Sequence, residues 1–354
     1  MAYELDFLPV GDNGRSGDAI ALRYVQDGRW VIHVVDGGDL AAGETMVSHI
    51  NKYYGNPKRI DAVVLTHPDD DHSSGLRHVI DSFPEIGGIW MNRPWLYAAE
   101  LLPLFKDPRF TVEGLARRLR EDFPIMAEIE DMAANRRIPI YEAFQGTRIG
   151  AFTVLSPSRA RYIASVPQFG RTPAAALPAP KSLAATILEA AKKAAEWVAE
   201  SWGFETLSED VETSATNETS LVQYGVLDSH AMLLTGDAGI VSLKEAAALM
   251  GRTPGLRFMH VPHHGSRRNV SPSVLDFWLG AKLGQGETRN ISAFASVAKE
   301  ADTHPRKKVV NAFMRRGAQV HATKGQTKCH YNGTDQRPTW VASVPLEFSN
   351  MVEA

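Results

Sequence analysis

Ile60-Asp61-Ala62-Val63-Val64-Leu65-Thr66-His67-Pro68-Asp69-Asp70-Asp71-His72 leads an almost wholly apolar run straight into two histidines and three aspartates. A short continuous apolar run reads as a strand buried on both faces. Here it empties into side chains that ligate metals. Residues two apart on an extended turn point the same way, so His67, Asp69 and Asp71 can converge. His72, at the start of the next helix, faces the same pocket. A helix-capping acidic turn with Asp70 or Asp71 as cap would explain the carboxylates, but not the two histidines that bracket them. Asp70 is out of phase with the others and reads as capping or solvated.

Outward from this segment, the first 40 residues read as a β-meander, with runs at Tyr3 to Val10, Ala19 to Val25 and Trp30 to Val35 separated by Gly- and Asp-rich turns. Gly43 to Tyr54 and Ser74 to Phe83 read as helices, and Ile86 to Met91 as a strand. The pattern is helical from Pro94 to about Arg137, and strands return at Ile138 to Tyr141 and Ile149 to Leu155. Ala164 to Pro180 reads as a loop, and Ser182 to Trp202 carries strong helix formers at a helical period. A hairpin follows, Ser220 to Leu227 and Ala231 to Leu234, and ends at Thr235-Gly236-Asp237. After a helix over Ser242 to Met250, the strand Leu256 to Val261 ends at His263-His264-Gly265-Ser266. A helix from Ser271, a strand at Asn290 to Val297, a helix over Lys307 to Arg316 and a strand at Ala318 to Thr323 complete the pattern. Two rounds of strands with interspersed helices imply two mixed sheets face to face with helices outside. One domain over residues 1–354, with helical inserts near 94–137 and 165–212, accommodates polar motifs that fall in both halves.

The composition is that of a globular chain: 354 residues, 44% hydrophobic and 22% charged. No apolar run approaches the roughly 20 residues of a membrane helix, and the N-terminus lacks a secretory pattern. The single cysteine, Cys329, excludes an internal disulfide and a thiolate metal cluster. These features together predict a cytoplasmic protein. The net charge of −3 is unevenly spread: Lys299 to Lys328 holds eight Lys or Arg against Glu300 and Asp302. Arg109, Arg117, Arg118 and Arg120 form a second basic group, and Arg267 and Arg268 a third. Basic groups flanking a metal site would suit a polyanion such as nucleic acid, although charge runs are more often solvated faces.

The segment His67-x-Asp69-x-Asp71-His72 resembles the metal motif of the metallo-β-lactamase superfamily, usually His-x-His-x-Asp-His, with Asp69 at the place of the second His. With Ser73-Ser74-Gly75 after it, this variant looks like the hydrolase domain of the competence protein ComEC and its free-standing relatives. Other pieces follow in that family's order: Val10-Gly11 and Gly17-Asp18-Ala19, Val35-Asp36-Gly37-Gly38, Asn217-x-x-Ser220-Leu221-Val222, Leu233 to Asp237, His263 to Ser266, and Ser296-Val297 before His304-Pro305. The resemblance implies an α/β metallo-β-lactamase αββα sandwich with helical insertions. It also implies that Asp71, His72, Asp237 and one of His263 and His264 hold one metal, while His67 and Asp69 contribute to a second that Asp237 bridges. His263, nearer the strand end, is the expected ligand, with His264 as a supporting or substrate contact. Asn217 stands where a further His is common, which would leave the second site poor in imidazole. Oxygen donors favour harder ions, so Mn²⁺ and Mg²⁺ join Zn²⁺ as candidates for the one or two divalent metals.

The implied reaction is hydrolysis by metal-bound hydroxide, with Asp71 orienting the nucleophile and His304 binding the scissile phosphate or protonating the leaving oxygen. His264, Ser266, Arg267 and Asn217 would contact substrate. A phosphodiesterase or nuclease is the leading expectation. A small ester, lactone or cyclic nucleotide is the alternative, because one fold hosts many hydrolyses. A third reading is a weakly active subunit that binds a partner, or a second copy, through the helical inserts, near which Trp90, Trp95, Trp197 and Trp202 lie. The stretch Ala298 to Thr303 lacks the Asn residues usual in ComEC-type domains, which predicts different substrate contacts.

Overall fold

Each sheet contains a hairpin whose turn uses left-handed backbone: Asp27-Gly28 with φ of 50° and 77°, and Asp228-Ser229 with φ of 48° and 65°. Positive φ at both central residues matches the turn to the twist of the flanking strands. The computed structural model describes residues 2–11, 14–174 and 197–353. In the first sheet the order is Lys328–Asn332, Tyr3–Phe7, Ala19–Gln26, Arg29–Gly37, Ala62–Val64, Ile89–Trp90 and Ile140–Tyr141. In the second it is Ala318–Ala322, Ile291–Ala295, Leu256–His260, His230–Leu234, Val222–Leu227, Phe152–Ser156 and Arg148–Ile149. Each sheet is antiparallel on one side. The other side is parallel, beginning at the pairing of Arg29–Gly37 with Ala62–Val64 in one sheet and of His230–Leu234 with Leu256–His260 in the other.

Leu5, Phe7, Leu22, Val64, Phe152, Phe258 and Phe294 pack between the sheets. A second apolar layer lies under the helices of the first sheet, and a third under those of the second. This is the αββα metallo-β-lactamase architecture. In open α/β sheets ligands bind beyond the carboxyl ends of the strands. Here the loops after Arg29–Gly37, Ala62–Val64, His230–Leu234, Leu256–His260 and Ile291–Ala295 carry the predicted polar motifs.

Several sequence expectations are corrected. The run from Ile60 to Leu65 is two short strands in different sheets, Arg59–Ile60 and Ala62–Val64. Between them the Asp61 carboxylate accepts from Ile32 N at 3.0 Å and bends the chain. The helix expected over Ser182 to Trp202 lies outside the described residues up to 196, and its end is instead a strand, Trp197–Ala199, paired with Met351–Glu353. The edge strand Lys328–Asn332 was not anticipated, because its polar sequence has no apolar alternation. The helices Val112–Asp122 and Pro124–Arg136 fall where the first insert was placed, and their Leu115, Leu119, Met126 and Ile129 join the same apolar layer as Val34 and Val63.

Three glycines set how closely the metal motif approaches the first sheet. A Cβ at Gly75 would lie 2.1 Å from Gly37 O, 2.6 Å from Asp39 O and 2.8 Å from Gly43 N. All three obstacles are backbone, so relief needs the whole segment to move. Gly75→Ala is therefore expected to destabilise the fold by about 1–3 kcal/mol, as overpacking does. Gly203→Ala, with nothing within 4 Å, should stay within about 0.5 kcal/mol. Urea midpoints of the two variants check this, and equal midpoints would refute the close-approach argument.

Candidate metal centre

Asp237, at the end of a buried strand and only 3% exposed, stands at the middle of the cluster. Its Oδ1 faces His72 Nε2 at 3.4 Å and His264 Nε2 at 3.8 Å. Its Oδ2 faces His263 Nε2 at 3.4 Å and His67 Nε2 at 3.8 Å. Asp69 Oδ2 lies 3.6 Å from His67 Nε2, while Asp71 groups with His72 and His264. The carboxylate thus divides the imidazoles into two pairs, each with one aspartate of the motif beside it.

The backs of the rings explain why Nε2 points inward. His72 Nδ1 donates to Asp36 Oδ2 at 2.8 Å. Thr66 Oγ1 donates to the same Asp36 oxygen at 2.6 Å and so accepts from His67 Nδ1 at 3.0 Å. Asn269 donates its Nδ2 to Asp237 O at 2.8 Å, and its Oδ1 stands 2.9 Å from His263 Nδ1, a nitrogen that the Asn217 Nδ2 also faces at 3.0 Å. An acceptor behind Nδ1 places the proton there and leaves the Nε2 lone pair bare. Among the described residues, His67 Nε2, His72 Nε2, His264 Nε2 and Asp237 Oδ1 are buried and have no hydrogen-bond partner. Buried polar atoms are rarely left so. Convergent, unpartnered imidazole nitrogens around a buried carboxylate fit one or two divalent cations.

The electrostatics show that the buried carboxylates draw positive charge to this place. Burial disfavours the charged forms of His72 and Asp237, yet Asp237 and Asp36 hold His72 well above the usual imidazole value, and His263, His72 and His264 hold Asp237 well below the usual carboxylate value. Burial pushes the His264 value down. His263 and His264 both have left-handed backbone, with φ of 47° and 57°, as does Asp36 at 55°. Such non-glycine conformations cost roughly 1–3 kcal/mol each and cluster at functional sites.

Several sequence-predicted residues take other places. His264, expected at the substrate, is buried and faces Asp237 as His263 does. Asn217, also expected at the substrate, is buried with its Nδ2 3.0 Å from His263 Nδ1. The half of the site expected to be poor in imidazole is flanked by both His67 and His263. Ser266 is 8% exposed, and its Oγ accepts from Arg268 N at 3.2 Å. Asp70 is exposed and pairs with Arg171 at 3.0 Å, and Asp69, at the N-cap of the short helix, makes no side-chain cap bond. His304 is half-buried beside the cluster; burial, with His264 and Arg306 nearby, pushes its value down to about 4, which leaves it neutral at pH 7. Arg267 stands half-exposed next to the ligand turn. Sequence reasoning gave no role to Asp36, Thr66, Asn269, Asp18 or His260. Asp18 and Asp36 did stand inside quoted motifs, but nothing in the string showed what they face.

The family model of the Metallo-beta-lactamase superfamily matches residues 13–122, the part that contains the His67–His72 segment. No curated protein matches significantly. Similar solved structures include Zn²⁺-bound PqqB from Methylobacterium extorquens, with 11% identity over 92% of this chain and 99% of that one and a TM-score of 0.42. A diphosphatase from the PhnP family is 13% identical over 94% of this chain and 98% of that one, with a TM-score of 0.41. A metallo-β-lactamase from Thermotoga maritima is 12% identical over 67% and 79%, with a TM-score of 0.32. At such distance these likenesses carry no information on substrate. Architecture and cluster together define the class, a metal-dependent hydrolase of the metallo-β-lactamase fold. Among the described residues no helix is long and apolar enough to cross a membrane.

Residues behind metal-ligating histidines typically contribute 10–100-fold in affinity. Asp36→Ala should therefore weaken Zn²⁺ or Mn²⁺ binding by about that factor in titration calorimetry, and unchanged affinity would refute the orienting role. Adding the metal that binds should raise the Tm of the wild-type chain, since at 100 times Kd a ligand adds about 2.7 kcal/mol. A chelator should reverse the shift.

Proposed function

We propose that the chain hydrolyses a phosphodiester. The carrying observation is the cationic rim over the centre. Arg306 N donates to Gly265 O at 3.0 Å, tying His304 and Arg306 to the histidine turn. The Arg306 guanidinium is half-buried. Burial holds its value below that of a free arginine; Glu353 opposes this and Arg267 adds to it. Neighbouring guanidiniums, partly desolvated beside a metal centre, favour a substrate that brings negative charge. The ComEC-type resemblance supports the same substrate class, with nucleic acid as the polymer.

Asp69, Asp71, His67, His72, His263, His264 and Asp237 would hold the cations. Bound there, divalent ions supply Lewis-acid polarisation and a water of lowered pKa. The imidazole-rich donor set favours Zn²⁺ or Mn²⁺ over Mg²⁺. Asp71, less buried than His72, would orient the attacking water. His304, neutral at pH 7, serves better as a hydrogen-bond donor to a phosphate oxygen than as the acid for the leaving group. Arg267 and Arg306 would neutralise the remaining oxygens.

One observation favours a small phosphoester over a polymer. Arg109 pairs with Asp107, Arg118 with Asp122, and Arg120 with Glu130 and Asp131. Arg315 and Arg316 are fully buried on Glu200, Glu205 and Asp276. Much of the basic charge expected to track a nucleic-acid backbone is thus neutralised locally.

The test is hydrolysis of labelled single- and double-stranded DNA and of bis(p-nitrophenyl) phosphate, with Mn²⁺, Zn²⁺ and Mg²⁺ in turn. Cleavage abolished in Asp71→Ala/His72→Ala would support the proposal, and cleavage of the small ester alone would select the small-substrate form. No cleavage by metal-loaded protein would sink it. Arg306→Ala is expected to raise KM at least tenfold with little change in kcat, as loss of uniform binding does.

A further inference from the structure

Behind His264, on the side away from Asp237, lies a second buried polar group. Asp18 is 0% exposed and precedes the strand Ala19–Gln26. Its Oδ1 is 3.6 Å from His264 Nδ1 and its Oδ2 is 3.4 Å from His260 Nε2. His72 Nδ1 is also near, at 3.8 Å, but that nitrogen is committed to Asp36 at 2.8 Å. Among the described residues, both Asp18 oxygens, both His260 nitrogens and His264 Nδ1 are buried and make no hydrogen bond. The 3.4 Å pair is close enough but misaligned, and the 3.6 Å pair stands slightly too far apart.

A buried carboxylate is costly unless charge or hydrogen bonds compensate it. The groups that face Asp18 from the neighbouring elements are His72, His260 and His264. Burial would raise the Asp18 value, yet these imidazoles hold it below the ordinary carboxylate range. His260 is itself fully buried, on a strand whose other residues are mostly apolar, with the Phe7 ring edge-on at 4.9 Å. An imidazole in that setting is explained by the carboxylate it meets.

We propose that Asp18 and His260 form a positioning pair that fixes His264 with its proton on Nδ1, so that the Nε2 lone pair faces the cation site. His260 donates Nε2–H to Asp18 Oδ2 and sets the plane of the carboxylate. Asp18 Oδ1 then accepts from His264 Nδ1–H. The arrangement repeats for His264 what Asp36 does for His72. The proposal rests on the metal-centre reading for its consequence, but not for the tautomer itself.

The experiment is nitrogen-15 NMR of the histidine side chains in the metal-free full chain, paired with Zn²⁺ titration calorimetry, on wild type, His260→Gln and His260→Leu. Wild type should show His264 protonated at Nδ1. His260→Leu should mix the tautomers and weaken binding at one of the two cation sites by about 10–100-fold. His260→Gln, whose amide can still donate to Asp18, should restore most of the affinity. His264 protonated at Nε2 in wild type overturns the proposal even if the Leu variant fails to fold. Equal affinity and an unchanged tautomer in a folded His260→Leu variant overturn it as well. Absence of Zn²⁺ binding by wild type would instead refute the metal-centre reading, and the tautomer measurement would still decide the pairing.

Discussion

The Asp36 carboxylate is the constraint on which the centre depends. It lies at the end of Arg29–Gly37 in left-handed backbone and takes three hydrogen bonds from the adjacent strand and motif: Thr66 N at 2.8 Å, Thr66 Oγ1 at 2.6 Å and His72 Nδ1 at 2.8 Å. The first of these ties the ends of two parallel strands together. The other two pass the orientation on to His67 and His72. A shift of the Asp36 backbone would therefore move two imidazoles at once. The glycines at 37, 43 and 75 allow the motif to lie against that strand end at backbone contact, so the short hydrogen bonds follow from packing as well as from chemistry.

Asp237 has the complementary task. It comes from the second sheet, so the halves of the centre meet only because the sheets face each other across the layer of Phe7, Phe258 and Phe294. A carboxylate with two oxygens is the smallest group that can face two imidazole pairs. Its burial raises the energy of its charge and so strengthens the demand for cations. The left-handed turn at His263 and His264 serves the same end. In an extended strand adjacent side chains point to opposite faces, but here both rings reach one carboxylate.

That turn also marks the limit of what the sequence discloses. The layered fold was legible because buried strands read as apolar runs and polar motifs follow them, as at Leu65-Thr66-His67 and Leu234-Thr235-Gly236-Asp237. The motif His67 to His72 was legible because its chemistry is concentrated in a few consecutive residues. The choice between His263 and His264 was not, since strand alternation admits only one of them and the backbone breaks the alternation. His260 was hidden in a strand that reads as apolar, and its partner Asp18 lies in the other sheet. Arg315 and Arg316 looked like surface charge because their carboxylates, Glu200, Glu205 and Asp276, are distant in sequence.

The burial of those two arginines bears on recognition. An arginine already held by a carboxylate offers a phosphate little, because the incoming anion must displace a charge-assisted bond of similar strength. Arg315, Arg316 and most of the group around Arg118 are held in this way, which fixes helices in place rather than opening a cationic face. Arg267 and Arg306 differ in lying beside the histidine turn, where a substrate oxygen near Asp237 would come within their reach. If the proposed phosphodiester is the substrate, discrimination among anions would fall to a few groups close to the reacting atom. Such a centre would select for charge at the ester more than for the length of the chain that carries it.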